Sequence, residues 1–261
     1  MQKTRYHHFT ENYAQDLLIF VFFLFLFFSY RAAFISSFSA ELAQGTSSSD
    51  IWLALWYGLR MSLKSAAALS APAFLFATLP VFFSEKWPAK KIRFAWGVLA
   101  IMAISVLFQI RIPYYREFHG VFDPAVLNDG NYNLAAITVK SIKYMGFGRL
   151  IAALGLGAGF AILLRQWVSL GGLLMLIICS LENRTGKMYA RYATIAAMLL
   201  FLGWIALFSW HGGSLKEKGA ISLENYQRFS QRVLNDAVLD EVQSIYRSHR
   251  IYKQSLQKTE E

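Results

Sequence analysis

The chain has 261 residues, of which 56% are hydrophobic, 16% aromatic and 16% charged, and its formal net charge is +10. Soluble domains carry about a quarter charged residues, so this balance excludes one, and the wealth of aromatic and aliphatic side chains excludes a disordered chain. A single Cys excludes a disulfide framework and a cysteine-rich metal site. The composition is that of an all-α, polytopic membrane protein, in which positive charge speaks of orientation before it speaks of nucleic acid.

A helix needs roughly 20 mostly apolar residues to cross the hydrocarbon core. The pattern predicts about five spans, near 17–35, 51–83, 94–110, 148–168 and 193–210. The first has the phenylalanine-rich core LLIFVFFLFLFFSY; SFSAE after it resembles a cleavage site, but Glu11 and Asp16 spoil the positive leader of a signal peptide. The second carries Arg60 and Lys64 in GLRMSLK and Pro72 and Pro80 beyond them. The fourth meets Arg165 and Gln166 and is followed by more apolar sequence to Leu181. This region reads either as one span with an interfacial extension, which the span length favours, or as two short spans turning at Gly171-Gly172. With five spans, Lys3, Arg5, Lys86, Lys90, Lys91, Arg93, Arg165, Arg184, Lys187 and Arg191 share one side. Arg31, Arg111, Arg116, Lys140, Lys143 and Arg149 share the other, and the loop 36–50 has no basic residue. The bias favours a cytoplasmic N-terminus and an extracytoplasmic C-terminus.

Two stretches lie outside the lipid by this reading. The external loop 111–147 is too long for a simple connector, and its DPAVLND and LAAITVKSIKYM read as short surface helices, with Asp123 as an N-cap before Pro124. From residue 211 to 261 a glycine hinge leads into a juxtamembrane helical tail. There Leu234, Val238, Val242 and Ile245 recur at helical spacing and form an apolar stripe. Nothing else in the tail could receive that stripe, so it is expected to lie on the membrane surface or on a domain outside this chain.

Intramembrane charge is costly, which makes Arg60 and Lys64, four residues apart on one helix face, candidates for a polar site or a lipid-headgroup contact. Counted from Ile51, Arg60 lies about 13 Å along the helix at roughly 1.5 Å per residue, deep for simple snorkelling. The histidines are scattered, Cys179 ends an apolar run, and GLGAG at 155–159 suits close helix packing better than a phosphate loop. No catalytic or metal-ligand constellation emerges, and no basic, aromatic-interleaved module suited to nucleic acid.

Three stretches together resemble the N-terminal transmembrane region of lipoteichoic-acid-synthase-like phosphoglycerol transferases, a sulfatase-like family of the alkaline phosphatase superfamily. They are GLRMSLKSAAALSAPAFLFATLP, YYREFHGVFDPAVLND and GGSLKEKGAISLENYQRFSQRVLNDAVLDEVQSIYRS. The resemblance implies five helices that anchor an extracytoplasmic catalytic domain in a bacterial cytoplasmic membrane. That domain transfers phosphoglycerol from phosphatidylglycerol with a threonine nucleophile and a manganese or magnesium ion. Gly58, Arg60, Lys64, Tyr114, Tyr115, Arg116 and Phe118 carry over as candidates for headgroup contact or domain docking. Ser62 stands where the family pattern often has Asp, and these 261 residues stop where the catalytic domain is expected to begin. The expectation is therefore an anchor without catalytic residues, metal ligands or cofactor of its own, inactive alone. Its implied partners are the bilayer, the phosphatidylglycerol headgroup and a separately encoded sulfatase-like domain. The alternatives are a stand-alone membrane scaffold or partner protein and, ranked last because no internal repeat is seen, a small transporter.

Overall fold

A computed structural model describes residues 3–42, 46–84, 86–121, 134–169, 188–214 and 221–260, and these form helices and connections without a strand. In chain order the helices are α1 (Lys3–Ser37), α2 (Ser48–Ala73), α3 (Ala89–Phe118), α4 (Leu134–Met145), α5 (Phe147–Ser169), α6 (Met188–Trp210), α7 (Arg232–Val238) and α8 (Glu241–Glu260). Among the described residues five helices are long and apolar enough to cross a membrane: Tyr6–Ser37, Ser48–Phe82, Ala89–Phe118, Phe147–Ser169 and Tyr192–Trp210. The protein is an all-α membrane protein. Asp123, Cys179, the DPAVLND segment and the possible turn at Gly171-Gly172 lie outside the described residues.

The phenylalanine run of α1 forms the centre of the bundle. Phe22, Phe23, Leu26 and Phe27 are fully buried, and Phe22 meets Phe160 and Trp167 of α5 edge-on. Tyr30 stacks on Phe108 of α3 at 4.3 Å, while its hydroxyl shares a hydrogen bond with Ser105 Oγ at 2.6 Å. That bond lets a tyrosine sit deep in an apolar bundle without an orphaned polar atom. Of the GLGAG glycines, Gly157 lies buried against Met102 and Ser105 of α3, where a Cβ would collide with the Met102 sulfur. Gly155 and Gly159 face open space. The small-residue reading therefore holds for one glycine.

Two prolines shape the second span. Beyond Ala73 the α-helix gives way to a π-helical turn over Phe74–Thr78 and a 3-10 turn over Leu79–Phe82. Pro80 has no N–H to offer the Phe76 carbonyl one turn back, and the Trp87 indole donates to that oxygen at 2.9 Å instead. Trp96 donates to the Leu69 carbonyl at 2.8 Å, next to the Ala68 carbonyl that Pro72 cannot serve. The third helix runs further than its apolar core, to Phe118, so Arg111, Tyr114, Tyr115 and Arg116 are helical rather than part of a loop. Pro113 lies inside this helix without ending it, and His119 closes it in the left-handed conformation at φ 46°.

Candidate functional site

Two buried polar clusters interrupt the apolar bundle, one toward each end of α1. Arg93 at the start of α3 is 1% exposed. Its Nε donates to Asp16 Oδ1 at 2.7 Å, its Nη1 to Gln15 Oε1 at 2.6 Å and its Nη2 to Thr78 Oγ1 at 2.8 Å. Thr78 in turn donates to Asp16. This arginine, counted from sequence as a loop cation, is the fully paired bolt between α1, α3 and the distorted end of the second span.

The other cluster receives the tail. Arg31 of α1 is 2% exposed. Its Nε donates to the Ala237 carbonyl at 2.8 Å, and its Nη2 donates to Ser62 Oγ at 2.7 Å and the Val238 carbonyl at 3.3 Å. Ala237 and Val238 end α7, so the guanidinium satisfies helix C-terminal carbonyls that have no partner in their own helix, and its charge suits that end of the dipole. Gly58 makes the approach possible: a Cβ there would overlap the Arg31 guanidinium. Arg111 of α3 pairs with Glu241 at 3.1 Å, both side chains being almost fully buried. Its Nη2 also donates to the Asp236 carbonyl, and its guanidinium lies over the Phe34 ring at 4.2 Å.

The stripe read from sequence as one helix is two, and the chemistry of Asp240 explains the break. Leu239 is extended at φ −77°, ψ 134°, and Asp240 caps the start of α8 by accepting from the Gln243 amide at 2.8 Å. The same carboxylate accepts from Ser65 Oγ at 3.0 Å, and Gln243 Nε2 donates back to Ser65 Oγ at 3.1 Å. Leu234 and Val238 are fully buried, Leu234 in the main core with Phe34, Phe38 and Leu55. Val242 packs against that core, and Ile245 against Ile110, Tyr114 and Met145. The bundle itself therefore covers the stripe, correcting the expectation of a membrane surface or a separate domain. Sequence reading missed this because the receiving surface is assembled from four helices that no local pattern connects.

Burial sets the electrostatics of the tail. It pushes the Asp236 carboxyl up from 3.8 to about 6, opposed by the charges of Arg111, Arg232 and Arg247. It also raises the Glu241 carboxyl above its ordinary range, against the pull of Arg111. The loop before α7 is held by Asn235, whose Oδ1 accepts from the amides of Arg228 and Phe229 and whose Nδ2 donates to the Phe229 carbonyl.

The remaining candidates divide. Tyr115 is wedged between Phe34 and Phe38, and Tyr114 is buried beside Met145, so both are packing residues; Arg116 and Phe118 point outward. Arg60 is partly buried and its Nε donates to the Gly212 carbonyl at 3.0 Å. Lys64 lies over the Trp210 ring at 4.0 Å. Both thus sit level with the C-terminal end of α6. Because α2 begins well beyond that end, counting depth from Ile51 overstated their immersion. Among the described residues no three His, Cys, Asp or Glu side chains gather closely enough to hold a metal ion. Comparison of the chain with family models, with curated proteins and with solved structures gave no match.

Proposed function

We propose that this chain is the membrane anchor of a phosphoglycerol-transferase-type assembly. It would sit in a bacterial cytoplasmic membrane with its N-terminus inside, and hold a sulfatase-like catalytic domain through its tail. The observation that carries the reading is convergence. The three stretches that resemble this family are far apart in sequence. They meet at one end of the bundle, where Gly58, Ser62 and Ser65 of the first, Tyr115 of the second and residues 233–243 of the third lie in one packed unit, with Arg31 and Arg111 from outside the stretches tying it together. A tail fastened this way holds whatever it carries at a fixed height and azimuth above the membrane. The orientation draws support from the burial of Arg31 and Arg111 in ion and hydrogen-bond networks. These are not loop charges, and neither is Arg93; setting the three aside strengthens the excess of basic residues on the proposed cytoplasmic side.

The test is photocrosslinking from exposed His249 on α8 in membranes. Capture of a polypeptide with a threonine nucleophile and a cluster of Asp and His metal ligands is the expected result. Crosslinks to lipid alone overturn the reading. So does manganese-dependent turnover of phosphatidylglycerol by the purified 261-residue chain.

A further inference from the structure

Beside the docked tail lies a cleft that neither the packing nor the anchor reading uses. Two adjoining hollows share Lys64, Trp210, Gln243 and Tyr246. The lower, of about 400 Å³, is floored by Ala67 and Ala68 of α2, Ala206 of α6 and Val242 of α8. The upper, of about 210 Å³, is lined by His211, Gly212, Ser222 and Arg250. One end is smooth and apolar; the other is polar and cationic. Lys64 forms no ion pair with a described carboxylate and rests on an indole face. Arg250 shares the upper hollow, and Arg60 stands behind it on the Gly212 carbonyl. Among the described residues the carboxylates nearby are Glu224, on Arg250 at 2.9 Å and largely exposed, and Asp240, buried behind Ser65 and Gln243, which it already engages.

We infer that this cleft binds one anionic phospholipid, with its phosphate between Lys64 and Arg250 and an acyl chain along the Ala67–Ala68–Ala206 groove. Charge complementarity selects the occupant: two cations beside the end of a membrane span call for a phosphate held by charge-assisted hydrogen bonds. An alanine-floored slot below them accepts a methylene chain at no polar cost. Trp210 and Tyr246 flank the junction, as aromatic side chains do at headgroup level. The lipid bridges α6 and α8 and adds a third fastening to the tail. This rests on α6 crossing the bilayer, not on the transferase reading.

The test is native mass spectrometry of the full chain in neutral detergent, with phosphatidic acid, phosphatidylcholine and glycerol 3-phosphate as probes. Phosphatidic acid is expected to stay bound and to slow hydrogen exchange over residues 241–250, while the other two leave. Lys64→Gln should weaken phosphatidic acid roughly tenfold. Ala68→Phe, which fills the groove and leaves the charges alone, should weaken it comparably with the Arg111–Glu241 region still protected. Equal retention of phosphatidylcholine overturns the inference. Equal retention of glycerol 3-phosphate does so too, since it marks a soluble-anion site, and so does an unchanged affinity in both variants. Lipid retained by a chain that captures no catalytic polypeptide at His249 would sink the anchor reading and leave this one standing.

Discussion

At the scale of single residues, Gly58 and Arg31 form a lock whose parts are useless separately. The glycine is needed because the guanidinium crosses the α2 backbone where any side chain would stand. Gly58→Ala should therefore displace Arg31 from the Ala237 and Val238 carbonyls and cost about 1–3 kcal/mol, in the range of overpacking a tight contact. Faster hydrogen exchange over residues 233–243, with the α1–α3 core unchanged, is the expected signature. Arg111 and Glu241 make the complementary case. Arg111→Met alone leaves a carboxyl group buried without its ion-pair partner, a loss of about 3–5 kcal/mol. Arg111→Met with Glu241→Leu should recover most of it, read as the thermal midpoint in detergent. A double variant as unstable as the single would show that packing, not the lone carboxyl, sets the cost.

At the scale of elements, the tail responds to pH through two carboxyl groups. Asp236 has its folded-state value raised from 3.8 to about 6, so the docked tail holds a proton that the released tail gives up. Docking therefore weakens as pH rises from about 4 to about 6, and above that range the full cost of burying the charge is present. The displacement corresponds to about 3 kcal/mol. Burial raises Glu241 in the same direction. Limited proteolysis of the tail should slow as pH falls from neutrality to about 5. Asp236→Asn should protect the tail at neutral pH and flatten the response; an unchanged pH profile in that variant would assign the effect elsewhere.

The elements also show what the sequence disclosed. The spans were legible because lipid permits few alternatives to a long apolar helix. Arg60 and Lys64 stood out because charge inside such a helix demands an explanation, whereas Gly58 entered only through the family resemblance. The partners of Arg31, Arg93 and Arg111 did not stand out. The Arg31 acceptor at Ala237 lies 206 residues along the chain, and a backbone carbonyl leaves no mark in a sequence. Asp236, Asp240 and Glu241 were not singled out from the sequence, yet all three are buried. The available signal was their crowding around Val238 and Leu239, acids set within an apolar stripe rather than opposite it.

At the scale of the whole molecule, the two polar clusters tie the bundle at both ends, and the tail belongs to one of them. With Cys179→Ser as background, single cysteines at Ser48 and Glu224 should react with an impermeant thiol reagent from the same face of the membrane. One at Lys91 should react only from the opposite face. The anchor reading adds that Ser48 and Glu224 face outward in intact cells. Labelling of Lys91→Cys from outside would reverse the orientation.

The distance along the chain between Arg31 and its acceptors has a consequence for biogenesis. During synthesis Arg31 and Arg111 enter the bilayer region long before residues 236–241 exist to receive them. Until then the half-built bundle holds two cations without their final partners, an arrangement that favours an open, hydrated assembly over a sealed one. Arrival of the tail closes it. The tail can therefore seat only after α1, α2 and α3 are all in place, because its carbonyls and acids meet Arg31, Ser65 and Arg111 from those three helices.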